Sequence, residues 1–161
     1  MPWTLRSVSV QVGRPSRLRK EKNRGRLPPA VSRFNFTTNG DGFGVGWYGQ
    51  RELPGIYKDI RPAWNDANLQ ALAAQIEASM FLAHVRATTG SPVQRTNCHP
   101  FSHQKWLFVH NGLINQYEKL HRDIALAISP DLFPLIQGTT DSELMFLLAL
   151  SFGMDSDVKA G

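Results

Sequence analysis

From residue 37 onward, short runs with strand character alternate with longer runs in which apolar residues recur at helical spacing. In the segment NGDGFGVGWYG (39–49), three glycines alternate with apolar side chains. This pattern predicts a strand with one glycine face, where another chain segment or a ligand comes close. The segments MFLAHVRA (80–87) and KWLFVHNG (105–112) predict two buried strands that end in polar residues.

Three segments have apolar residues at helical spacing: 69–76, 117–128 and 144–150. Asn65 and Asp66 precede the first of these segments and are its cap candidates. Thr140 and Glu143 form a Thr-x-x-Glu capping box in front of the third segment. These start signals predict three helices that alternate with the strands along one chain, without an internal repeat.

The first part of the chain has a different composition. Residues 1–33 hold nine arginines and lysines against one acid, so their balance of +8 leaves the rest of the chain at −3 within a total of +5. The segment has no periodicity and contains the breaker pair Pro28-Pro29. We therefore expect residues 1–36 to form a poorly ordered or foreign extension. A nucleic-acid-binding arm and an Arg-rich transit peptide are the alternatives.

Size and cysteine content limit the class of protein. A chain of 161 residues, 42% of them apolar, suits one domain, which we place at residues 37–161. The single cysteine excludes an internal disulfide, and no apolar run reaches the roughly 18 residues that a membrane span needs. We therefore expect a cytoplasmic protein without a membrane partner.

Polar side chains that could bind a ligand or take part in catalysis lie at the ends of the predicted strands and helices. Arg86 closes one predicted strand, and the Asn111-Gly112 pair closes another. An Asn-Gly pair can direct a side-chain amide and a backbone N–H to one point, as an oxyanion hole requires. Asp141 lies in the first turn of the third predicted helix, where the helix dipole favours a carboxylate. Together these groups can hold an amino acid by both charged ends and polarise its side-chain carbonyl.

Each of these residues also has a purely structural interpretation. Arg86 can serve in an internal ion pair, Asn111-Gly112 is a common hairpin turn, and Asp141 can simply cap its helix. His84 and His110 lie in apolar strands, where hydrogen-bonded core histidines are the commoner outcome.

A metal site is a further alternative at one short run. Cys98, His99 and His103 have a spacing that resembles half of a zinc site, but the run lacks a second pair of ligands. We therefore expect no metal and no other cofactor.

In four ordered motifs the chain resembles the class II, or N-terminal nucleophile, glutamine amidotransferases: HVRATTG (84–90), TNCHPF (96–101), VHNG (109–112) and GTTDSE (138–143). Two further segments, NGDGFGVGWYG and DIRPAWND (59–66), resemble the stand-alone bacterial subgroup of this family. The likeness extends from about residue 37 to the C-terminus. It implies an α+β fold, a four-layer α/β/β/α sandwich, which we expect to be incomplete at both ends here.

The resemblance implies a reaction and a set of site residues. The family binds glutamine and hydrolyses its side-chain amide to glutamate and ammonia, which is transferred to an acceptor. By motif, Arg86 would bind the α-carboxylate of glutamine and Asp141 its α-ammonium group. Asn111 and the N–H of Gly112 would form the oxyanion hole. Three further residues are implied as pocket-lining: Thr88, Thr89 and His99.

In this family the nucleophile is a cysteine that becomes the first residue after removal of the initiator Met, with its own α-amine as the base. The sequence begins Met1-Pro2-Trp3-Thr4, so we expect this nucleophile to be absent and the activity of the chain to be lost. Cys98 lies in mid-chain without an α-amine, and we expect it to be a small buried residue.

Three functional hypotheses follow. The first is an incomplete or mis-started glutamine-hydrolysing domain, with an ammonia-accepting synthase subunit as partner. The second is a catalytically dead domain that binds glutamine or interacts with another protein. The third uses Pro2 as the base of a tautomerase-like reaction. A different amide is an equally good substrate, because the implied residues recognise only the amino-acid end. We expect no nucleic-acid partner for the domain.

Overall fold

The computed structural model describes residues 39–88 and 90–156. The elements follow the order β1 (Phe43–Tyr48), β2 (Gly55–Asp59), α1 (Ala67–Gln75), β3 (Met80–Val85), β4 (Phe101–His103), β5 (Trp106–Phe108), α2 (Tyr117–Ala127) and α3 (Asp141–Ser151). The extension predicted at residues 1–36 lies outside the described residues. No helix in the described ranges is long and apolar enough to cross a membrane.

Strand β1 is the centre of a three-stranded antiparallel sheet with the order β2-β1-β3. The predicted glycine face of β1 is confirmed by its neighbours. A Cβ atom on Gly44 would overlap the carbonyl of His99, and one on Gly46 would lie 2.8 Å from Leu107 Cδ1 and 2.9 Å from Pro100 Cγ. The glycines therefore allow the sheet to pack closely on the segment 99–107.

The second sheet is the hairpin of β4 and β5, which pair antiparallel from Phe101 opposite Phe108. The strands predicted at 80–87 and 105–112 are shorter than expected, and the expectation that they are buried is wrong. Their side chains are half-buried or exposed, since β3 is an edge strand among the described residues. Strand β5 ends early because residues 110–114 turn away to make hydrogen bonds with the start of α3.

Helix α3 carries most of the apolar core. Six buried apolar side chains form this core: Phe101, Ile128, Leu144, Phe146, Leu147 and Leu150. The Phe108 and Phe146 rings stack with centroids 5.2 Å apart, which joins the hairpin to the helix. Tyr117 and Ile124 of α2 pack against the same core. The helices predicted at 117–128 and 144–150 are confirmed.

The capping box predicted at the start of α3 forms only in one direction. Thr140 is the N-cap, and its Oγ1 accepts a hydrogen bond from the Glu143 N–H at 3.3 Å. The Glu143 carboxylate does not return to Thr140. It accepts instead from the N–H groups of Gln137 at 3.0 Å and Gly138 at 2.7 Å. The Glu143 carboxylate therefore satisfies donors in the loop before α3 instead of the Thr140 N–H that a complete capping box would use.

Asp66 connects β2 to α1. The side chain is fully buried, and it caps α1 by accepting a hydrogen bond from the Leu69 N–H at 2.7 Å. The predicted cap at Asp66 is therefore confirmed. The Asp66 carboxylate also accepts from the Tyr57 hydroxyl at 3.0 Å and from Arg61 Nη2 at 3.2 Å. One buried carboxylate therefore satisfies three donors on three parts of the chain.

A pair of histidines joins the two sheets. The His84 ring on β3 lies 4.3 Å from the His99 ring, and His99 meets Phe101 edge-on at 4.7 Å. His99 is 5% exposed, and within the described ranges neither of its ring nitrogens has a hydrogen-bond partner, nor has Nδ1 of His84. The interpretation of His84 as a hydrogen-bonded core histidine is therefore wrong for this nitrogen. Burial is the main cause that lowers the pKa of His99 to about 3.

We predict that Asp66→Ala lowers the free energy of unfolding by about 2–4 kcal/mol, because it removes a helix cap and leaves the Tyr57 hydroxyl without its acceptor. Urea denaturation measures this change. Asp66→Asn retains an acceptor and should lose less. The control is Asp123→Ala, whose side chain is 73% exposed and pairs only with its neighbour Arg122, and which should change stability by less than about 0.5 kcal/mol. Equal losses for Asp66→Ala and Asp123→Ala would refute this role of Asp66.

The buried neutral His99 should also make stability depend on pH. Its pKa is about 3 in the folded state and 6.5 for an unperturbed histidine, so between these values the unfolded state binds more protons. The free energy of unfolding therefore decreases as the pH falls from 6.5, by up to about 1.4 kcal/mol per pH unit from this group.

We expect His99→Gln to weaken this pH dependence in urea titrations at pH 6.5 and pH 5. The matched control is His121→Gln on the exposed surface of α2, which should retain the wild-type decrease. The comparison uses the slope with pH, so a general loss of packing in the variant does not obscure it. An unchanged slope in His99→Gln would contradict the assignment.

Candidate active site

A cavity of about 830 Å³ lies beside the histidine pair. Its walls come from the end of β3 and the loop after it, from residues 109–114, from the first turn of α2 and from residues 139–142. Six of the site residues predicted from the sequence line it together: Arg86, Thr88, His99, Asn111, Gly112 and Asp141. The seventh, Thr89, lies outside the described residues.

Arg86 forms one buried, positively charged wall of the cavity, with 5% of its surface exposed. Its Nη2 donates to the hydroxyl of Ser91 at 2.6 Å and to that of Thr88 at 3.3 Å, and its Nη1 donates to the Asp41 carbonyl at 3.4 Å. Within residues 39–88 and 90–156, no carboxylate lies at ion-pair distance from Arg86. A buried guanidinium with only neutral partners favours an anionic ligand.

The loop that follows Arg86 is folded back by local hydrogen bonds. The Thr88 N–H donates to Asp41 Oδ2 at 2.8 Å, and the Thr88 hydroxyl donates to the Ser91 carbonyl. Gly90 has φ of 134°, a value that side-chain-bearing residues rarely adopt. The loop oxygens therefore stay directed towards the guanidinium.

Asp141 forms another, negatively charged wall and is 7% exposed. Its Oδ2 accepts from the Ile114 N–H at 2.7 Å, and its Oδ1 accepts from the Ser142 hydroxyl at 3.3 Å. The helix cap is Thr140, so the interpretation of Asp141 as a simple cap is wrong. Since a carboxylate has about four acceptor positions, two remain for a donor in the cavity.

Asn111 and Gly112 lie in the loop between β5 and α2, where they line the cavity. They do not join two strands, so the hairpin interpretation is wrong at this position. A Cβ atom on Gly112 would lie 2.6 Å from His110 Nε2, so only glycine allows the loop to approach this ring. The His110 side chain is in turn bonded to Ser142, with 2.9 Å between Nδ1 and Oγ.

Tyr117 is a cavity-lining group that the sequence pattern hid within an amphipathic helix. Its hydroxyl is buried and has no partner in the part of the chain that the structure describes. Burial, with smaller contributions from Asp141 and Glu143, raises the pKa of Tyr117 to about 12, so the phenol stays protonated.

Three residues that hold the cavity walls were not singled out from the sequence: Ser91, Asn97 and Ser142. Asn97 is fully buried, and its Oδ1 accepts from the Thr139 N–H at 2.8 Å while its Nδ2 donates to the Pro92 carbonyl at 3.0 Å. Asn97 and Ser142 lie inside the TNCHPF and GTTDSE motifs, which is the signal that could have found them. No local pattern marks Ser91.

Cys98, the one cysteine of the chain, is fully buried and does not line the cavity. Its Sγ lies 3.5 Å from the Asp59 carbonyl oxygen and 3.6 Å from that of Gln94. Burial raises the pKa of the Cys98 thiol, which disfavours a reactive thiolate. The expectation of a small buried residue is therefore confirmed. No group of three or more histidines, cysteines or acids in the described ranges is placed to hold a metal ion.

Known proteins share the sequence and the fold of this chain. The family model for class II glutamine amidotransferases matches residues 31–157. The chain is 41% identical over 117 residues to the probable glutamine amidotransferase DUG3 of Saccharomyces cerevisiae. This match covers 70% of this chain and 33% of DUG3. The chain is 30% identical over 119 residues to the gamma-glutamyl-hercynylcysteine sulfoxide hydrolase of Mycolicibacterium smegmatis. This match covers 73% of this chain and 48% of the hydrolase.

The fold also matches a solved structure. A glutamine aminotransferase class-II domain protein from Silicibacter pomeroyi superposes with a TM-score of 0.65 at 42% identity, over 73% of this chain and 50% of the other. The chain therefore spans about half or less of the length of these relatives. The family model covers most of the chain, and the relatives share its sequence and fold. The protein belongs to the class II glutamine amidotransferases.

Proposed function

We propose that the cavity binds the amino-acid end of glutamine, with Arg86 at the α-carboxylate and Asp141 at the α-ammonium group. The observation that carries this proposal is the pair of buried, opposite charges on two walls of one cavity. Neither charge is paired with the other, because each is held by neutral groups of its own wall. A zwitterionic amino acid satisfies both at once.

The second part of the proposal concerns catalysis. In the family reaction the thiol of an N-terminal cysteine, a role that Cys98 cannot take, attacks the side-chain amide of glutamine, ammonia leaves, and water cleaves the thioester. Asn111 and the Gly112 N–H would stabilise the oxyanion that forms in this attack. Each such donor contributes about 3–4 kcal/mol to transition-state stabilisation. The products are glutamate and ammonia, and a synthase subunit that accepts ammonia is the partner this reaction calls for. Thr88 and His99 line the same cavity, and the HVRATTG motif assigns Thr89 to substrate binding as well.

Glutamine is the simplest member of a wider substrate class. The cavity of about 830 Å³ is lined by the first turn of α2 in addition to the groups that recognise the amino-acid end. The name of the Mycolicibacterium smegmatis relative describes hydrolysis of a larger γ-glutamyl compound. We therefore include γ-glutamyl amides with a substituent on the amide nitrogen among the substrates.

The finer architecture belongs to the same proposal. The three-stranded sheet, the β4–β5 hairpin and the pair α2 and α3 pack in succession as three layers, which fits the β/β/α part of the four-layer α/β/β/α sandwich that we propose. We place the domain at residues 37–161, with 1–36 as an extension, in the cytoplasm.

A second candidate function is glutamine binding without hydrolysis. The observation that favours it is Cys98, which is buried outside the cavity although it is the only cysteine in the sequence. A thiol in that place cannot attack a ligand held between Arg86 and Asp141. The two functions share the binding step and differ only in ammonia release.

We predict that the chain binds L-glutamate, the product, and that Arg86→Ala weakens this binding about tenfold to a hundredfold. The physical reason is the loss of a charge-assisted hydrogen bond worth about 1.5–3 kcal/mol. Isothermal titration calorimetry gives both affinities. Arg122→Ala on α2 is the control, because its side chain is 81% exposed, and it should bind like the wild type. Equal affinities for the wild type and Arg86→Ala would remove the α-carboxylate site.

We also predict that the chain releases no ammonia from glutamine above background, and that Cys98→Ser leaves this result unchanged. In a chimera whose first 36 residues come from an intact relative that begins Met-Cys, glutaminase activity should return. In this chimera, Asn111→Ala should lower kcat about 100-fold to 1000-fold with little change in KM, because its donor acts most strongly in the transition state. Ammonia release that Cys98→Ser abolishes would identify Cys98 as the nucleophile instead.

A further inference from the structure

The side chains of Asp141, Ser142 and His110 form one continuous chain of hydrogen bonds. Ser142 Oγ lies 3.3 Å from Asp141 Oδ1 and 2.9 Å from His110 Nδ1. The other oxygen of Asp141, Oδ2, accepts from the Ile114 N–H at 2.7 Å. The first turn of α3 therefore holds the loop at both ends, at residues 110 and 114, with Asn111-Gly112 between them.

The chemistry of these groups decides which atom donates. A carboxylate only accepts, so the hydroxyl proton of Ser142 goes to Asp141 Oδ1. The Ser142 oxygen can then only accept from His110, which requires a proton on Nδ1 of the ring. His110 Nε2 is left without a proton. This nitrogen occupies space that a side chain on residue 112 would need, so Gly112 is required beside it.

Burial makes this arrangement stable against exchange with water. Ser142 is 4% exposed and Asp141 is 7% exposed, so solvent competes little for these bonds. One face of the His110 ring stacks on Phe108 with centroids 6.5 Å apart and planes 23° apart. Stacking on Phe108 therefore restricts the tilt of the His110 ring, and the hydrogen bond to Ser142 restricts its rotation about the side-chain bond.

We propose that Ser142 is a positioning residue, which fixes one tautomer of His110 and thereby sets the Asn111-Gly112 loop at a defined distance from the Asp141 carboxylate. The inference rests on the proposed function, since it joins the α-ammonium site to the oxyanion hole. The same turn of α3 then positions the groups that bind the α-ammonium group and the side-chain amide of the substrate. In this assignment Ser142 acts through His110.

The experiment is NMR spectroscopy of the full chain with ¹⁵N-labelled histidines at about pH 8, above the usual pKa of about 6.5 for a histidine side chain. Long-range ¹⁵N–¹H correlations distinguish a ring protonated at Nδ1 from one protonated at Nε2. We expect the Nδ1–H pattern for His110 in the wild type and its loss in Ser142→Ala. Ser142→Thr retains the hydroxyl and should restore it. The control, Ser102→Ala on the exposed face of β4, should leave the pattern unchanged.

The same samples are titrated with L-glutamate. We expect Ser142→Ala to retain most of the affinity while the backbone amide signals of Asn111 and Gly112 move, because the Asp141 carboxylate stays in place. A wild-type His110 protonated at Nε2, or an unchanged tautomer in Ser142→Ala, overturns the inference even when glutamate binds. A wild type that has the Nδ1–H tautomer but does not bind glutamate supports the hydrogen-bond chain and overturns the proposed function.

Discussion

The first turn of α3 is the constraint on which the site depends, because its three buried polar side chains satisfy donors from two loops, at residues 110–114 and at residues 137–138. Asp141 accepts from Ile114, Ser142 bonds to His110, and Glu143 accepts from Gln137 and Gly138. These bonds satisfy three backbone N–H groups and tie both loops to this turn. Thr140 performs the capping alone and leaves Glu143 free for the loop.

The two charged walls of the cavity are built by different means, and this difference suits a zwitterionic ligand. The carboxylate of Asp141 is held by donors from a helix start and a loop, whereas the guanidinium of Arg86 is held by hydroxyl and carbonyl oxygens. His99 lies beside Arg86 without adding a second positive charge, because burial keeps its pKa near 3. A cavity with one buried charge of each sign avoids the cost of an unpaired buried ion once an amino acid is bound.

Much of the helical structure was predictable, since it depends on local signals. The cap at Asp66, the start of α3 at Thr140 and the amphipathic segment from Tyr117 follow from residues within one or two turns. The strands were less predictable, because the edge position of β3 and the early end of β5 depend on distant partners. The cluster of predicted site residues was found through ordered motifs rather than through periodicity.

By itself, the sequence determined the helix starts, the glycine face of β1 and the types of charged residue available to a site. These features depend on neighbours in the chain. Only the tertiary structure decided that Asp141 accepts from a residue 27 positions away and that Ser142 meets His110 across 32 positions. It also decided that the rings of His84 and His99 are buried together between the sheets. The physical reason is that a hydrogen bond or a burial cost is set by which segments are adjacent in space, and sequence spacing does not contain that information.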